Sequence, residues 1–570
     1  MKEIVTIQVG DYANYIGSHF WNFQDELLGL AGDPQADSVF KNQDLNMDAL
    51  YRTGETHQGI DTYTPRLVSI NMRGSLGSMS SHGTLYKEVA PTTSDVFTWT
   101  GGVSSQASEP RKKNLFLQSL YEEENQNMVT EISGSNSGSP SKYQDKDITE
   151  SLEDGVQFWT DYSKVHFHPQ SLYELNGVWT DVEEFDNYGI GRDSFSWASQ
   201  GEEISDRLRF FVEECDHVQG FQFVVDDSGG FSSVASEFLE NIVDEYTNTP
   251  VLLYAARGSR SRANLQTRKR TILEELHDAI SFSRLSSYCK LIVPIGVPSL
   301  GRASKFLHIE DEKHYHSSAV YAAALHSISL PFRMLPVGPT ADASSVSGAV
   351  DFHGLIQMLS GQGRQNMVSI LDVSMPTPAL TGGQNEVSLL ENFQPLTPMI
   401  SEDGEDIQAI EQLTVHGAFA SVEGRRASVS EVKDSLDAAF ERANTRPMFS
   451  HLSVALCPLP IPLPFPSIFG NQVGKHGELM GSQLTNSSSK GSFDVHSIPM
   501  AARLRSSSAV LPLLENKLQN LHRYGITRGA AGAEILRSWG FGQEELVEMQ
   551  EMLSKMVATL CPPQLSSDSD

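Results

Sequence analysis

Apolar positions along the chain switch repeatedly between a strand period and a helix period, and the switches mark the elements. Ile4, Val5, Ile7 and Val9 gather in Lys2–Gly10 as a buried strand, with a turn predicted over Gly10–Gly17 and a helix over Ser18–Leu30. Ile204, Leu208, Phe211 and Val212 recur at helical spacing, and Val218, Phe221, Phe223, Val224 and Val225 then form a second buried strand. Gly229-Gly230 makes a turn, and Val234, Phe238, Leu239, Ile242 and Val243 continue as a helix whose expected N-cap is Ser232 or Ser233. Tyr63–Gly74, Pro250–Tyr254 and Leu291–Ile295 read as further strands. A helix over Thr271–Leu285 separates the last two, and a long helix lies within His314–Arg333. Strands alternating with helices predict an α/β unit around a parallel sheet, in which a helix that starts at a Gly-rich turn can receive a phosphate.

Beyond Phe352 a second α/β region begins. It has helices over Leu355–Leu359 and Val429–Asn444 and strands over Asn366–Val373, Gln412–Phe419 and Phe449–Cys457. Prolines keep Pro458–Pro466 extended. Helices over Ala509–His522 and Ala531–Met556 close the chain, ahead of the acidic tail Ser566–Asp570. Between Glu88 and Glu150 the composition shifts to Ser, Thr, Gly, Asn and Glu, which predicts a disordered insertion. Within it Lys113–Glu122 is an apolar island able to fold onto the core or a partner, and order returns at Leu152 with Val156, Phe158, Trp159 and Tyr162 on a helix. Pro376–Asp406 and Gly481–Gly491 read as loops, the second mobile. The expected division is 1–333, a second α/β domain at 334–505, C-terminal helices at 506–563 and a tail at 564–570.

At 570 residues the chain exceeds one ordinary domain. Its net charge of −30 argues against unselective nucleic-acid binding and against an acidic membrane surface. The basic runs Arg257–Arg262 and Arg268-Lys-Arg270 read as a solvated loop entering a helix, in preference to a phosphate or partner patch. Cys215, Cys289, Cys457 and Cys561 have no paired spacing, which suits a reducing compartment and argues against a disulfide framework or zinc site. His166 and His168 would share one side of a strand, but without a third ligand nearby they read as structural, so no metal is expected. The first residues enter a strand at once, so no leader is expected. No apolar run reaches the roughly 18 residues of a membrane span. The expected location is the cytoplasm.

Cys215-Asp-His-Val-Gln-Gly-Phe-Gln222 resembles the segment that leads tubulins into their phosphate loop, and Gly10, Asn14, Ile16, Gly17, Phe20 and Trp21 are similar to the first tubulin segment. Asn187-Tyr-Gly-Ile-Gly191 resembles a third nucleotide loop of that superfamily. The combination of Tyr51-Arg-Thr-Gly-Glu55, Tyr63-Thr-Pro-Arg66, His168-Pro169, Phe211–Asp216, Gln219-Gly-Phe221, Gly229-Gly-Phe-Ser232 and Leu330-Pro-Phe-Arg333 is similar to the Misato family within it. The resemblance implies a tubulin-like fold and a role in mitochondrial distribution and morphology, with links to microtubules and cell division. It also implies a location in the cytosol and at the mitochondrial outer face. The nucleotide pocket it implies, for GTP as the candidate cofactor, comprises Gly10, Asp11, Tyr12, Asn14, Asn187, Gly191, Ser228, Gly229, Gly230 and Tyr315.

Many of these positions have changed character. The tubulin phosphate loop is rich in glycine, whereas Ser228–Val234 keeps two glycines, puts Phe231 in the place of a threonine and follows Asp226 and Asp227. Asp11 stands for a glutamine, and Tyr12 for the cysteine beside the base. Asn71 and Arg73 stand for two acidic groups serving magnesium and phosphate, and Ser318 for an asparagine that reads guanine. Asp342 is the one candidate for a catalytic carboxylate and reads as an ordinary loop residue. Three functions follow. The first is a non-catalytic tubulin-like scaffold for tubulin, chaperonin or mitochondrial-surface proteins. The others are a polymerising or switching GTPase with a remodelled pocket, and a cofactor of tubulin folding that mimics a tubulin monomer.

Overall fold

The computed structural model describes residues 2–41, 45–55, 61–81, 83, 112–123, 145–177, 185–196, 200–259, 267–301, 306–335, 348–361, 365–381, 389–401, 406–421, 424–443, 445–480 and 489–561. Asp342, most of the 88–150 insertion, residues 481–488 and the acidic tail lie outside them.

Six parallel strands form the first sheet: β1 (Glu3–Val9), β4 (Leu67–Met72), β5 (Leu172–Leu175), β6 (Val218–Asp226), β7 (Val251–Ala256) and β8 (Leu291–Ile295). Their order is β5-β4-β1-β6-β7-β8. The connections run outward in opposite directions from β1 and β6, so the topological switch point lies between those two strands, where open α/β sheets bind ligands. Every residue of β1, β4, β7 and β8 is buried, as expected of strands covered by helices on both faces. A hairpin of β2 (Tyr51–Glu55) and β3 (Asp61–Pro65) leads into β4.

Helix α1 (Asp11–Gly32) follows β1 directly. The predicted turn over Gly10–Gly17 is therefore a correction: the helix starts at Asp11, because Gly10 alone, at φ 97°, turns the chain. Helix α2 (residues 115–123) is the apolar island, and its Phe116 is buried in the main core. Helix α3 (Asp145–Gly155) begins inside the stretch expected to be disordered, and Trp159–Tyr162 is a single 3-10 turn. Residues 163–170 form no strand, so His166 and His168 share no strand face. The His168 ring instead stacks 4.8 Å from that of Phe210.

Helices α4 (Tyr188–Ser196), α5 (Gln200–Glu213), α6 (Phe231–Glu245) and α7 (Arg268–Tyr288) complete the first unit. Gly230, not Ser232 or Ser233, caps α6. Both hydroxyls lie inside the helix and donate back to the carbonyls of Gly229 and Gly230. Helix α8 (His314–Ser329) is buried along Tyr315–Ser329, packed on α1 at one side and on the second sheet at the other. A helix buried all round belongs in a core, and polar side chains of this one are bonded there, His326 to Gln24 (2.8 Å) and Ser327 to His416 (2.8 Å).

The second sheet has order β10-β9-β15-β11-β12, from β9 (Ile370–Ser374), β10 (Gln394–Pro395), β11 (Ile410–His416), β12 (Phe449–Ala455) and β15 (Met500–Ser506). A short pair of β13 (Leu459–Pro460) and β14 (Ser497–Ile498) precedes β15. Helices α9 (Phe352–Gly361) and α10 (Val429–Arg442) belong to this region. In its sheet Asp372 lies between Arg503 (2.9 Å) and Arg505 (2.8 Å). The two sheets meet where Ile292 of β8 bonds the 367–369 backbone: its N–H donates to the Met367 carbonyl (2.8 Å) and its carbonyl accepts from Ser369 (2.9 Å).

At the C-terminus lie α11 (Leu511–Leu521), a π-helical turn (His522–Ile526), α12 (Ala533–Ser538) and α13 (Gln543–Leu560). The single helix expected over Ala531–Met556 is two, broken at Trp539–Gly542, with Gly540 at φ 83°. Among the described residues no helix is long and apolar enough to cross a membrane.

Candidate functional site

The predicted site residues gather at the carboxyl ends of β1 and β6, and the protein's own side chains fill the space between them. Gly10 brings the first turn of α1 against the end of β6. A Cβ at this glycine would lie 2.6 Å from that of Asp226 and 2.8 Å from the Phe231 ring. The Asp226 carboxylate accepts the Tyr12 N–H (3.0 Å) with one oxygen and the Ser228 hydroxyl with the other. An acceptor thus already occupies an amide that a phosphate at this helix end would use. Burial, reinforced by the Asp226 charge, pushes the Asp11 carboxyl up to about 7.

The other glycine turn is occupied in the same way. Gly229 has φ 64°, and the Gly230 N–H donates to the Phe185 carbonyl (2.8 Å). The Phe185 and Phe231 rings meet edge to face at 5.0 Å. Gly191 packs so closely on this turn that a Cβ would come within 1.9 Å of the Gly230 carbonyl oxygen. Asn187 caps α4 by accepting the Ile190 N–H (3.2 Å). Asn187 and Gly191 therefore hold a helix start in place, where a nucleotide loop was expected.

Tyr12 fills the side where the resemblance places a base. Its ring lies edge-on to His314 (5.0 Å) and Tyr321 (6.3 Å), and its hydroxyl donates to Ser317 (2.9 Å). Tyr315 is a buried core residue, stacked with His19 at 5.3 Å and packed against Tyr162 at 4.8 Å. Burial pushes the His19 ring down to about 3, so it is neutral, and its Nε2 donates to the Tyr315 carbonyl (3.0 Å). Ser318 is fully buried.

Asn14 belongs to a closed network. It accepts from Ser69 (2.8 Å) and donates to Asn71 Oδ1 (2.9 Å), which also accepts the Trp159 indole N–H (3.1 Å). Neutral, fully bonded amides stand where magnesium would need anionic oxygens, and Arg73 is exposed beyond them. These residues do not fit a magnesium–nucleoside triphosphate. A triphosphate would meet the Asp226 carboxylate at the end of α1, the Phe231 ring beside it and an aromatic cluster at the base position.

A hollow of about 340 Å3 opens beside the site, lined by Asp186, Asp227, Arg257, Glu274, His277 and Asp278 among others. Arg257 bridges Asp227 (3.0 Å) and Asp278, and Ser281 also donates to Asp227. Burial alone would lower the guanidinium's proton affinity, but the Asp278 and Asp227 charges more than offset it. The acidic lining is hostile to phosphate. Asp226 was legible in the sequence only as a neighbour of the turn. Arg257 stood out only as the start of a basic run read as a solvated loop, and is instead tied to Asp227 and Asp278. Phe185 gave no signal, because its contacts join loops distant in sequence.

Residues 2–122 match the model of the Misato segment II tubulin-like domain, and residues 149–334 match that of the tubulin domain. Human protein misato homolog 1 is 30% identical over 414 residues, covering 70% of this chain and 69% of the human protein. The chain belongs to the Misato family. The mouse protein misato homolog 1 extends the similarity to 97% of both chains at 27% identity. Protein dml-1 of Neurospora crassa is 27% identical over 66% of this chain and 63% of its own length. The family's tubulin-like fold is the one described above.

Proposed function

We propose that the chain is a non-catalytic, tubulin-like scaffold that serves mitochondrial distribution and morphology through protein partners. The observation that carries this reading is the self-filled switch point. One carboxylate occupies the Tyr12 amide, Phe231 packs against Gly10, and Tyr12 takes the base position. A fold that fills its ligand crevice with its own side chains retains a shaped exterior, and function then resides in that exterior. Membership of the Misato family supports the mitochondrial assignment. The expected working location is the cytoplasm and the mitochondrial outer face, reached through partners.

The test is the nucleotide content of gently purified protein, by acid extraction and chromatography, followed by titration with magnesium and GTP. The scaffold reading expects no stoichiometric nucleotide and no saturable binding. Near-stoichiometric guanine nucleotide would overturn it in favour of a GTPase with a remodelled pocket. Turnover would then be measured at assembling concentrations against a Gly230→Trp control.

A further inference from the structure

On a chain of net charge −30, one concave surface is cationic. Helix α7 opens with Arg268-Lys269-Arg270 and has no acidic residue in its first turn, so its positive helix end carries further positive charge. Arg268, Ile272 and Leu276 follow one another at helical spacing on a single face. The π-helical turn and the loop after it lie against that face. Gly525 and Gly532 allow this approach, because a Cβ at Gly532 would sit 2.1 Å from Leu276 Cδ1. The Gly532 N–H donates to the Tyr524 carbonyl (2.9 Å), the Thr527 N–H to that of His522 (3.0 Å), and Gly529 turns the chain at φ 76°. The loop is thereby held with Arg523 and Arg528 beside Arg268.

The resulting hollow of about 330 Å3 is lined by Arg268, Thr271, Arg523, Tyr524, Thr527 and Arg528 with small residues between, and by no carboxylate. It continues past Arg268 and Ile272 into a shallower trough of about 550 Å3 along Ala531, Ile535 and Ser538, where Glu534 is the one acid. Arg270 is paired with Glu274. Among the described residues Arg268, Lys269, Arg523 and Arg528 form no ion pair.

We propose that this groove is a docking site for an acidic peptide segment of a partner protein. Carboxylate or phosphate side chains would lie between Arg268, Arg523 and Arg528, and apolar ones over Ile272 and Ile535. Concavity, an apolar floor and Glu534 at the far end suit a chain segment better than a flat anionic membrane, which the net charge also repels. The occupant is a separate chain: helix α13 passes Ser287, at the other end of α7, with Met552 (3.4 Å), roughly 28 Å from Arg268 at 1.5 Å per residue. The groove is separate from the switch point, so a nucleotide found there would overturn the scaffold reading and leave this proposal standing.

The experiment uses the full chain and fluorescence anisotropy with a fluorescein-labelled peptide carrying a run of glutamates followed by leucines. Saturable binding is expected, weakening as salt rises from roughly 50 to roughly 300 mM. It should fall at least about tenfold in the triple variant R268E/R523E/R528E, fall less in R528Q, and stay unchanged in K433E on α10. The replaced arginines are exposed, and circular dichroism confirms that each variant is folded. Absence of saturable binding, an equal loss in K433E, or no loss in the triple variant overturns the proposal. So does arginine-dependent sedimentation with phosphatidylserine vesicles by a protein that ignores the peptide, an outcome that assigns the groove to a membrane.

Discussion

Replacing Asp11 with Asn should stabilise the amino end of α1, although it removes an acidic residue from a helix first turn. The carboxyl rises from its ordinary 3.8 to about 7, through burial first and the Asp226 charge second. Because the folded state holds the proton more tightly than the unfolded state, the cost is absent below the ordinary value. It grows as pH rises and is complete above about 7. At about 1.4 kcal/mol per tenfold in proton affinity, the ceiling is ~4 kcal/mol. Part of Asp11 still touches water, and a helix N-terminus favours negative charge by ~0.3–1 kcal/mol, so we expect about 2 kcal/mol. The assay is hydrogen exchange by mass spectrometry on peptides covering 9–20, comparing variant with parent at each pH. Protection in D11N should rise roughly thirtyfold at about pH 8 and roughly tenfold at about pH 6. Unchanged or weaker protection at the higher pH would refute the reasoning, by showing that Asp11 is ionised at little cost.

Two further outcomes follow. Burial would raise the Asp372 carboxyl, but the Arg503 and Arg505 charges outweigh it and hold it below its ordinary value. Its contribution is therefore complete above the ordinary carboxylate value and lost as pH falls from there through the lowered folded-state value. Asp372→Asn should cost about 3–5 kcal/mol at neutral pH by urea unfolding, and nothing measurable once the parent is acidified. Gly10→Ala places a methyl 2.6 Å from the Asp226 Cβ at φ 97°, so it should cost at least about 3 kcal/mol and lower the yield of folded protein. A well-folded G10A protein of parental stability would show that the two helix ends are less tightly joined than described.

Five of the six strands of the first sheet were legible because they are short, mostly apolar runs separated by helical periods, a pattern that needs no tertiary information, whereas the four-residue edge strand β5 was not foreseen. The start of α1 was not, since Asp11-Tyr-Ala-Asn14 carries no apolar period of its own and reads as a turn until its packing against β6 is seen. Strand β15 was missed altogether. Met500, Ala502 and Leu504 alternate correctly with Ala501, Arg503 and Arg505, but the arginines are charged and read as surface until Asp372 and Glu411 are placed beside them. The break at Trp539–Gly542 was obscured by apolar residues on both sides. At the site, the losses of glycine and acid were visible by position. What replaced the ligand's contacts was not, because Phe185–Phe231 and Tyr12–Ser317 join residues that only the fold brings together.

The burial of α8 on both sides has a consequence for synthesis. The helix is complete at Ser329, yet the sheet that covers its second side lacks its middle strand until Ser506 has been made. At 5–20 residues per second, the intervening roughly 180 residues keep an apolar helix face bare for roughly 10 to 35 seconds on every ribosome. We expect the nascent chain to need a holding factor during that interval. Slowing translation between these two points should lower the yield of native protein, whereas the same delay placed after Ser506 should not.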